Sequence, residues 1–234
     1  MSLPPHPGSL PDGGREKVKV LVFDAYGTLL DVHAAMAAHA EKLPPDWERI
    51  SAEWRAKQME YTWVRTLTGD GQHRDFWTLT REALAFVAER NRVTDPSVIA
   101  ALLESYRYLK AYPDARPALQ AVRGRGIKTG ILSNGEPGML ADAVGSAGLA
   151  PLLDALLSVE AVGAFKTDRR AYLMMTERFG LAPDEIGFVS SNAWDAYAAG
   201  VFGYRVFWVN RFGQPDEYGL RASATEIASL SDLI

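Results

Sequence analysis

The sequence predicts an α/β protein: a doubly wound parallel sheet whose first strand is followed by an inserted all-helical block. Three observations carry this. From Tyr112 onward, short apolar runs alternate with helical segments as far as a last strand-like run at Arg205–Val209, the pattern of βα units around a parallel sheet. Between about Ala34 and Ala111 only helical periodicity is found. The first strand-like run, in turn, delivers a single acid, Asp24, directly to a glycine turn, and ligands of open α/β sheets bind beyond the carboxyl ends of such strands.

The elements follow in order. Val18, Val20, Leu21, Val22 and Phe23 form the near-continuous apolar run of a strand buried on both faces, with Gly27 and Thr28 supplying turn chemistry after Asp24. Helices are expected at 34–42, which is alanine-rich, at 46–67, at 76–90 and, after Thr94 and Asp95, at 96–109; Pro44-Pro45 and Gly69-Asp70-Gly71 punctuate them. The alternation then runs helix 114–123, strand 127–132, helix 137–147, strand 155–159, helix 169–179, strand 186–189, a short helix after Trp194, and the strand at 205–209. The domain reading is a flexible leader at 1–15, rich in proline and glycine, a Rossmann-like α/β catalytic core from 16–33 and 112–234, and a helical cap domain at 34–111 placed over the carboxyl edge of the sheet.

Composition excludes several function classes. A chain of 234 residues can hold one large core with a smaller appended unit. A formal net charge of -4 offers no basic field for nucleic acid. Without cysteine there is no disulfide, no thiolate metal site and no Cys nucleophile. No apolar span approaches the roughly 20 residues that cross a bilayer, and the leader lacks the apolar core of a signal peptide, so a cytoplasmic protein without membrane partners is expected. Neither a repeat period nor a low-complexity tract stands out beyond the leader.

Each later strand also ends in polar residues: Ser133-Asn134-Gly135, Lys166 in the loop after the next strand, and Ser190-Ser191-Asn192-Ala193-Trp194-Asp195. In a parallel sheet these ends share one edge, which converges two carboxylates, an ammonium, hydroxyls and amides on a single cleft. Taken singly, each has an ordinary reading: a turn at Ser133-Asn134-Gly135, a helix cap at Asn192 or Asp195, a solvated loop lysine. On the second helix, Arg55, Met59 and Trp63 recur every fourth residue and share a face, although Trp54, Tyr61 and Trp63 could equally be core while Arg55 snorkels outward. His33 and His39 lack partners at metal-ligand spacing, His6 and His73 have no evident partner, and Ser133 lacks the Gly-x-Ser-x-Gly of a strand elbow.

The run Asp24-Ala25-Tyr26-Gly27-Thr28-Leu29-Leu30-Asp31-Val32-His33 resembles the first motif of the haloacid dehalogenase superfamily, in the version of the L-2-haloacid dehalogenases. The order Asp24, Ser133-Asn134, Lys166, Asp195 matches the four motifs of that superfamily, and Trp54 to Trp63 is similar to the dehalogenase cap signature, so the resemblance spans Lys17 to about Arg211. Phosphatases of the superfamily carry a second Asp where this chain has Tyr26; a phenol with a pKa of roughly 10 is a poor proton donor, but a departing halide needs no proton. A magnesium phosphatase would also want more than the single acid Asp195 in the last motif, because Mg²⁺ prefers a hard octahedral oxygen shell.

The resemblance implies hydrolytic dehalogenation of short L-2-haloalkanoic acids to 2-hydroxy acids through an aspartyl ester. Asp24 would be the nucleophile, held by Thr28. Arg55 and Asn134 would take the halide, and Ser133 with Lys166 would orient the substrate carboxylate and the nucleophile. Asp195 and Asn192 would position Lys166 and the hydrolytic water, with Ser190 nearby. Tyr26, Met59, Phe76 and Trp194 would form an apolar wall, and Tyr172, the tyrosine that follows the lysine motif, is placed with the substrate-binding residues. The implied partners are the 2-haloacid and the halide, with no cofactor, no metal and no nucleic acid, and with a homodimer left open. The chain departs from the family pattern at Thr167, where proline is usual, at Ala56, where glutamine is common, and in a cap loop lengthened by Gly69-Asp70-Gly71-Gln72-His73; these bear on pocket size and substrate preference. Two alternatives are a metal-dependent phosphatase of the same superfamily, disfavoured by Tyr26 and the single acid, and a non-catalytic small-acid binding protein, disfavoured by Asp24, Lys166 and Asp195 occurring together.

Overall fold

A strand with no polar side chain needs neighbours on both edges and cover on both faces, and β1 (Val20–Phe23), wholly buried, has them. It pairs in parallel with β2 (Lys128–Ser133) on one side and β4 (Ile186–Ser190) on the other. The computed structural model describes residues 18–69 and 73–233; the expected leader, His6 and the middle of the lengthened cap loop lie outside the described residues. With β3 (Ala155–Ser158), β5 (Arg205–Val209) and β6 (Thr225–Ile227) the sheet has six parallel strands in the order β3-β2-β1-β4-β5-β6. The chain fills one side of β1 and then the other, so the switch point lies where β1 and β4 end side by side. The expected α/β class holds, and β6 is an addition: three residues, Thr-Glu-Ile, carry too little periodicity to be read as a strand.

Between β1 and β2 lie α1 (Ala34–Ala37), α2 (Trp47–Thr68), α3 (Phe76–Arg90) and α4 (Pro96–Arg107). The helix expected at 34–42 is broken into α1 and a 3-10 turn at Ala40–Lys42. His33 makes no side-chain cap, only Ala35 and Met36 of α1 are buried, and His39 is drawn to Ser105 Oγ at 2.8 Å, so nothing propagates the first turn. The longer helices have proper ends. Asp75 and Asp95 accept the backbone N–H groups of Thr78 and Ser97, Pro96 opens α4, and Gly69 closes α2 in the left-handed conformation at φ 57°. Buried polar side chains join the three: Trp54 Nε1 donates to Thr80 O, Gln58 Nε2 to Thr80 Oγ1, and Tyr106 OH to Gln58 Oε1.

The two passages between sheet and helices run side by side. Leu30 bridges Ala111 antiparallel, and Asp31 N–H donates to Lys110 O at 2.9 Å, which ends α4 two residues before the expected 109. The remaining helices are α5 (Ala115–Gly124), α6 (Pro137–Ser146), α7 (Arg169–Phe179), α8 (Ala193–Phe202) and the short α9 (Leu220–Ser223). Helix α8 begins at Ala193, earlier than expected, so Trp194 and Asp195 stand in its first turn. Among the described residues no helix is long and apolar enough to cross a membrane.

Candidate active site

Asp24 continues the β1 ladder by donating its N–H to Val189 O at 2.9 Å, so its side chain emerges at the switch point. Gly27, at φ 91°, makes the turn that no other residue type adopts readily, and Thr28 comes back under the acid. Asp24 Oδ2 accepts from Thr28 Oγ1 at 3.0 Å and from Asn192 Nδ2 at 2.8 Å, while Oδ1 accepts from Lys166 Nζ at 3.0 Å. Thr28 Oγ1 in turn accepts the Ser191 N–H at 2.9 Å, which ties the loop after β1 to the loop after β4.

Lys166 is buried between two carboxylates, with Asp195 Oδ2 at 2.8 Å. Burial alone would lower its pKa, but Asp195 and Asp24 outweigh burial and raise it above the ordinary lysine value, so the ammonium stays charged. Asp195 is fully buried; desolvation lifts its pKa to about 6, with Lys166 pulling it down and Asp24 pushing it up. Its oxygens also accept from Ser190 Oγ at 3.2 Å and Tyr172 OH at 2.7 Å. The Lys166 main chain is fixed as well, donating its N–H to Asn134 Oδ1 at 2.9 Å, so the amide nitrogen of Asn134 is the end that can meet an anion. The cation between the two acids is thus the protein's own, and among the described residues no group of three or more His, Cys, Asp or Glu is placed to hold a metal ion.

The helical block supplies the opposite wall. Arg55 faces inward rather than snorkelling: its Nη2 donates to Tyr26 O at 3.1 Å, and its Nη1 is buried with no partner among the described residues. A cleft of about 340 Å³ is lined by His33, Ala52, Arg55, Ala56, Met59, Trp63, Asn192 and Trp194. Trp63 and Trp194 meet edge to face at 5.6 Å and also line a larger outer cleft. Phe76 is buried against Tyr26 and Phe165. Desolvation by burial pushes the Tyr26 phenol well above its ordinary pKa, so it holds its proton and is no general acid.

The structure thus links Asp24, Thr28, Asn134, Lys166 and Asn192 through hydrogen bonds, and Asn192 shares the cleft with Arg55, Met59 and Trp194, while Arg55 and Asn192 both bond to the Tyr26 carbonyl. Some expectations need correction. Asn192 Nδ2 donates to Asp24 Oδ2 and to Tyr26 O rather than bonding to Lys166, and although the residue occupies the N-cap position of α8 its side chain makes no capping bond. Tyr172 donates its hydroxyl to Asp195 Oδ1 at 2.7 Å and lines the outer cleft beside Trp63 and Trp194. Ser133 Oγ accepts the Gly135 N–H at 3.0 Å, a bond that uses the oxygen as acceptor and not its O–H as donor. His73 does have a partner, Glu160 Oε2 at 2.5 Å, and Glu160 Oε1 also accepts the Phe76 N–H. Sequence reasoning weighed His33 as a metal ligand and set it aside, yet it lines the cleft with Nδ1 on Ser51 Oγ at 2.7 Å; it passed over Phe165, which packs on Phe76 and whose only signal is an aromatic residue immediately before the lysine.

A parallel sheet that presents a lysine-paired aspartate at its switch point, with a helical block facing it, has the architecture of enzymes that use a strand-end carboxylate as nucleophile. The family model described as "Hydrolase: haloacid dehalogenase-like hydrolase" matches residues 18–203. The chain belongs to this family of haloacid dehalogenase-like hydrolases, and several of the proteins it is similar to are dehalogenases. It is 41% identical over 219 residues to (S)-2-haloacid dehalogenase 1 of a Pseudomonas species (strain CBS-3), covering 93% of this chain and 96% of that one. The solved L-2-haloacid dehalogenase of Xanthobacter autotrophicus with chloropropionic acid covalently bound superposes with a TM-score of 0.81 at 35% identity, over 92% of this chain and 96% of the other. Another solved dehalogenase reaches a TM-score of 0.89 at 40% identity, over 96% and 97% of the two chains.

Arg55 yields a direct prediction. Arg55→Ala should lower kcat/KM for haloacid by about 10²–10³-fold while the fold survives, because a buried guanidinium nitrogen aimed at developing charge is the kind of donor whose loss costs that much. Steady-state halide release beside a circular-dichroism melt checks it; unchanged kinetics would make Arg55 a structural prop for the Tyr26 carbonyl.

Proposed function

We propose that the protein hydrolyses short L-2-haloalkanoic acids to 2-hydroxy acids, displacing halide with inversion at C2. The observation that carries this is the Asp24 carboxylate, held by Thr28, Lys166 and Asn192, the last of which lines a cleft together with Arg55 and its unpartnered nitrogen. An Asp24 oxygen attacks C2, the carbon–halogen bond breaks, and the halide leaves with the electron pair toward Arg55 and Asn134. Lys166, with Ser133 at the β2 end, attracts the substrate carboxylate. Tyr26, Met59, Phe76 and Trp194 keep water off the nucleophile, whose hydration is replaced by fixed donors. Water then attacks the Asp24 ester carbonyl carbon, and the acyl carbon–oxygen bond to the substrate breaks. One water proton goes to the departing hydroxyl of the 2-hydroxy acid, the other is released to solvent, and the Asp24 carboxylate is regenerated, with Asp195 holding Lys166 in place and Asn192 beside the ester oxygen. In this reading 34–111 is the cap and 16–33 with 112–234 the catalytic core. Cytoplasmic residence and a homodimer belong to the same reading, and are checked by fractionation and sedimentation.

The test is halide release from L-2-chloropropionate with para-nitrophenyl phosphate run beside it. Chloride should appear from the L enantiomer with no phosphate released from the ester. Because Lys166 already bridges the two carboxylates, activity should be undiminished in excess EDTA and gain nothing from Mg²⁺; collapse on chelation would favour the phosphatase-like alternative.

A further inference from the structure

Tyr26 entered the site as part of an apolar wall, yet it brings a hydroxyl there. The residue is 2% exposed and its O–H has no hydrogen-bond partner among the described residues. A buried hydroxyl without a partner is costly, and here it is not tolerated for want of choice, since phenylalanine would fill the same space. The ring is firmly held. It stacks on Tyr106 at 5.9 Å with planes 3° apart, and packs on Phe76 at 5.9 Å. Its hydroxyl end lies over the backbone beside Asn134: a Cβ at Gly135 would come within 2.8 Å of Tyr26 Cε2, 3.2 Å of Tyr26 OH and 3.3 Å of Ser133 Oγ. Arg55 reaches the same residue through its bond to the Tyr26 carbonyl, and its Nη1 is likewise buried without a partner among the described residues, as is Nε1 of Trp63, which lines the cleft with it.

We infer that the Tyr26 hydroxyl is a catalytic hydrogen-bond donor to the departing halide, completing with Arg55 and Asn134 a three-donor anion cradle. This rests on the proposed dehalogenase function and adds to it. As the bond from Asp24 to C2 forms and the carbon–halogen bond breaks, the halide takes the electron pair. Tyr26 donates a hydrogen bond and keeps its proton, so no proton moves in the step. Burial suits the phenol to that task, because its raised pKa keeps it protonated across the working pH range. Donors fixed in a dry site act where charge develops and need no reorganisation.

Tyr26→Phe tests this, since it preserves the ring and deletes the donor. Hydrogen bonds to halide weaken from chloride to iodide, so the variant's kcat/KM, which reports events through halide departure, should fall about tenfold on chloroacetate but only about twofold on iodoacetate. The inhibition constant for added chloride should rise in parallel. The ratio between the two substrates is an internal control for folding, because partial unfolding lowers both alike. Equal loss on the two substrates, with the chloride constant unchanged, would place the hydroxyl on the substrate carboxylate or in packing and overturn the inference, as would wild-type kinetics. Failure of the wild-type protein to release any halide would instead remove the dehalogenase reading itself.

Discussion

Lys166→Met should cut dehalogenation about 10²–10³-fold, the cost of removing one buried electrostatic donor, and should change how stability depends on pH. In the native protein a single ammonium serves two buried carboxylates, Asp24 at 3.0 Å and Asp195 at 2.8 Å. Removing it leaves both acids desolvated and adjacent, and breaking a buried pair from one side costs about 3–5 kcal/mol. Asp195 is raised to about 6 even with the lysine present, chiefly by burial, and Lys166 is what pulls it down, so without the lysine Asp195 rises further. A carboxyl with a folded pKa above its unfolded value takes up its proton first in the folded state; between those two values the native protein binds more protons, and stability increases as pH falls. Urea denaturation should therefore show the variant's deficit largest near pH 8 and shrinking toward pH 5. A deficit that stays constant with pH, or is absent, would mean that the two acids do not depend on Lys166.

Much of this site is legible because a parallel sheet turns linear order into spatial convergence. The run from Val18 to Phe23 is apolar because β1 is covered on both faces, so the polarity of Asp24 marks the strand end. The same logic picks out Ser133-Asn134 after β2 and Ser190 to Asp195 after β4. What the sequence hides are pairings set by packing between distant elements. Nothing local announces that Tyr172 on α7 will bond to Asp195, or that Asn192 will turn from its helix to Asp24, since both depend on how α7 and α8 settle against the sheet. The His73–Glu160 pair joins residues 87 positions apart, one in the helical block and one after β3. The resemblance implies an apolar wall role for Tyr26, and the structure adds that its hydroxyl is buried with no partner among the described residues.

The covalent step makes the sharpest prediction, because it follows from which carboxylates can reach substrate. Three acids lie in or near the first and last motifs. Asp31 Oδ1 accepts the His33 N–H at 2.9 Å and so serves its own turn. Asp195 is sealed behind Lys166, with its oxygens taken by Lys166, Ser190 and Tyr172, and can neither attack C2 nor prepare a water to do so. Asp24 remains, oriented by Thr28, Asn192 and Lys166, whose hydrogen bonds fix the carboxylate while its aim at C2 comes from the strand end. If Asp24 forms the ester, the oxygen delivered to the product in the first turnover is its own, and solvent oxygen enters the enzyme. A single turnover in ¹⁸O water should accordingly label the peptide carrying Asp24 and release unlabelled hydroxy acid, while Asp24→Asn should show almost no turnover because an amide is a far weaker nucleophile than a carboxylate. Mass spectrometry of that peptide decides between mechanisms: label passing straight to the hydroxy acid, with none in Asp24, would mean that water attacks C2 directly and that Asp24 acts as a base.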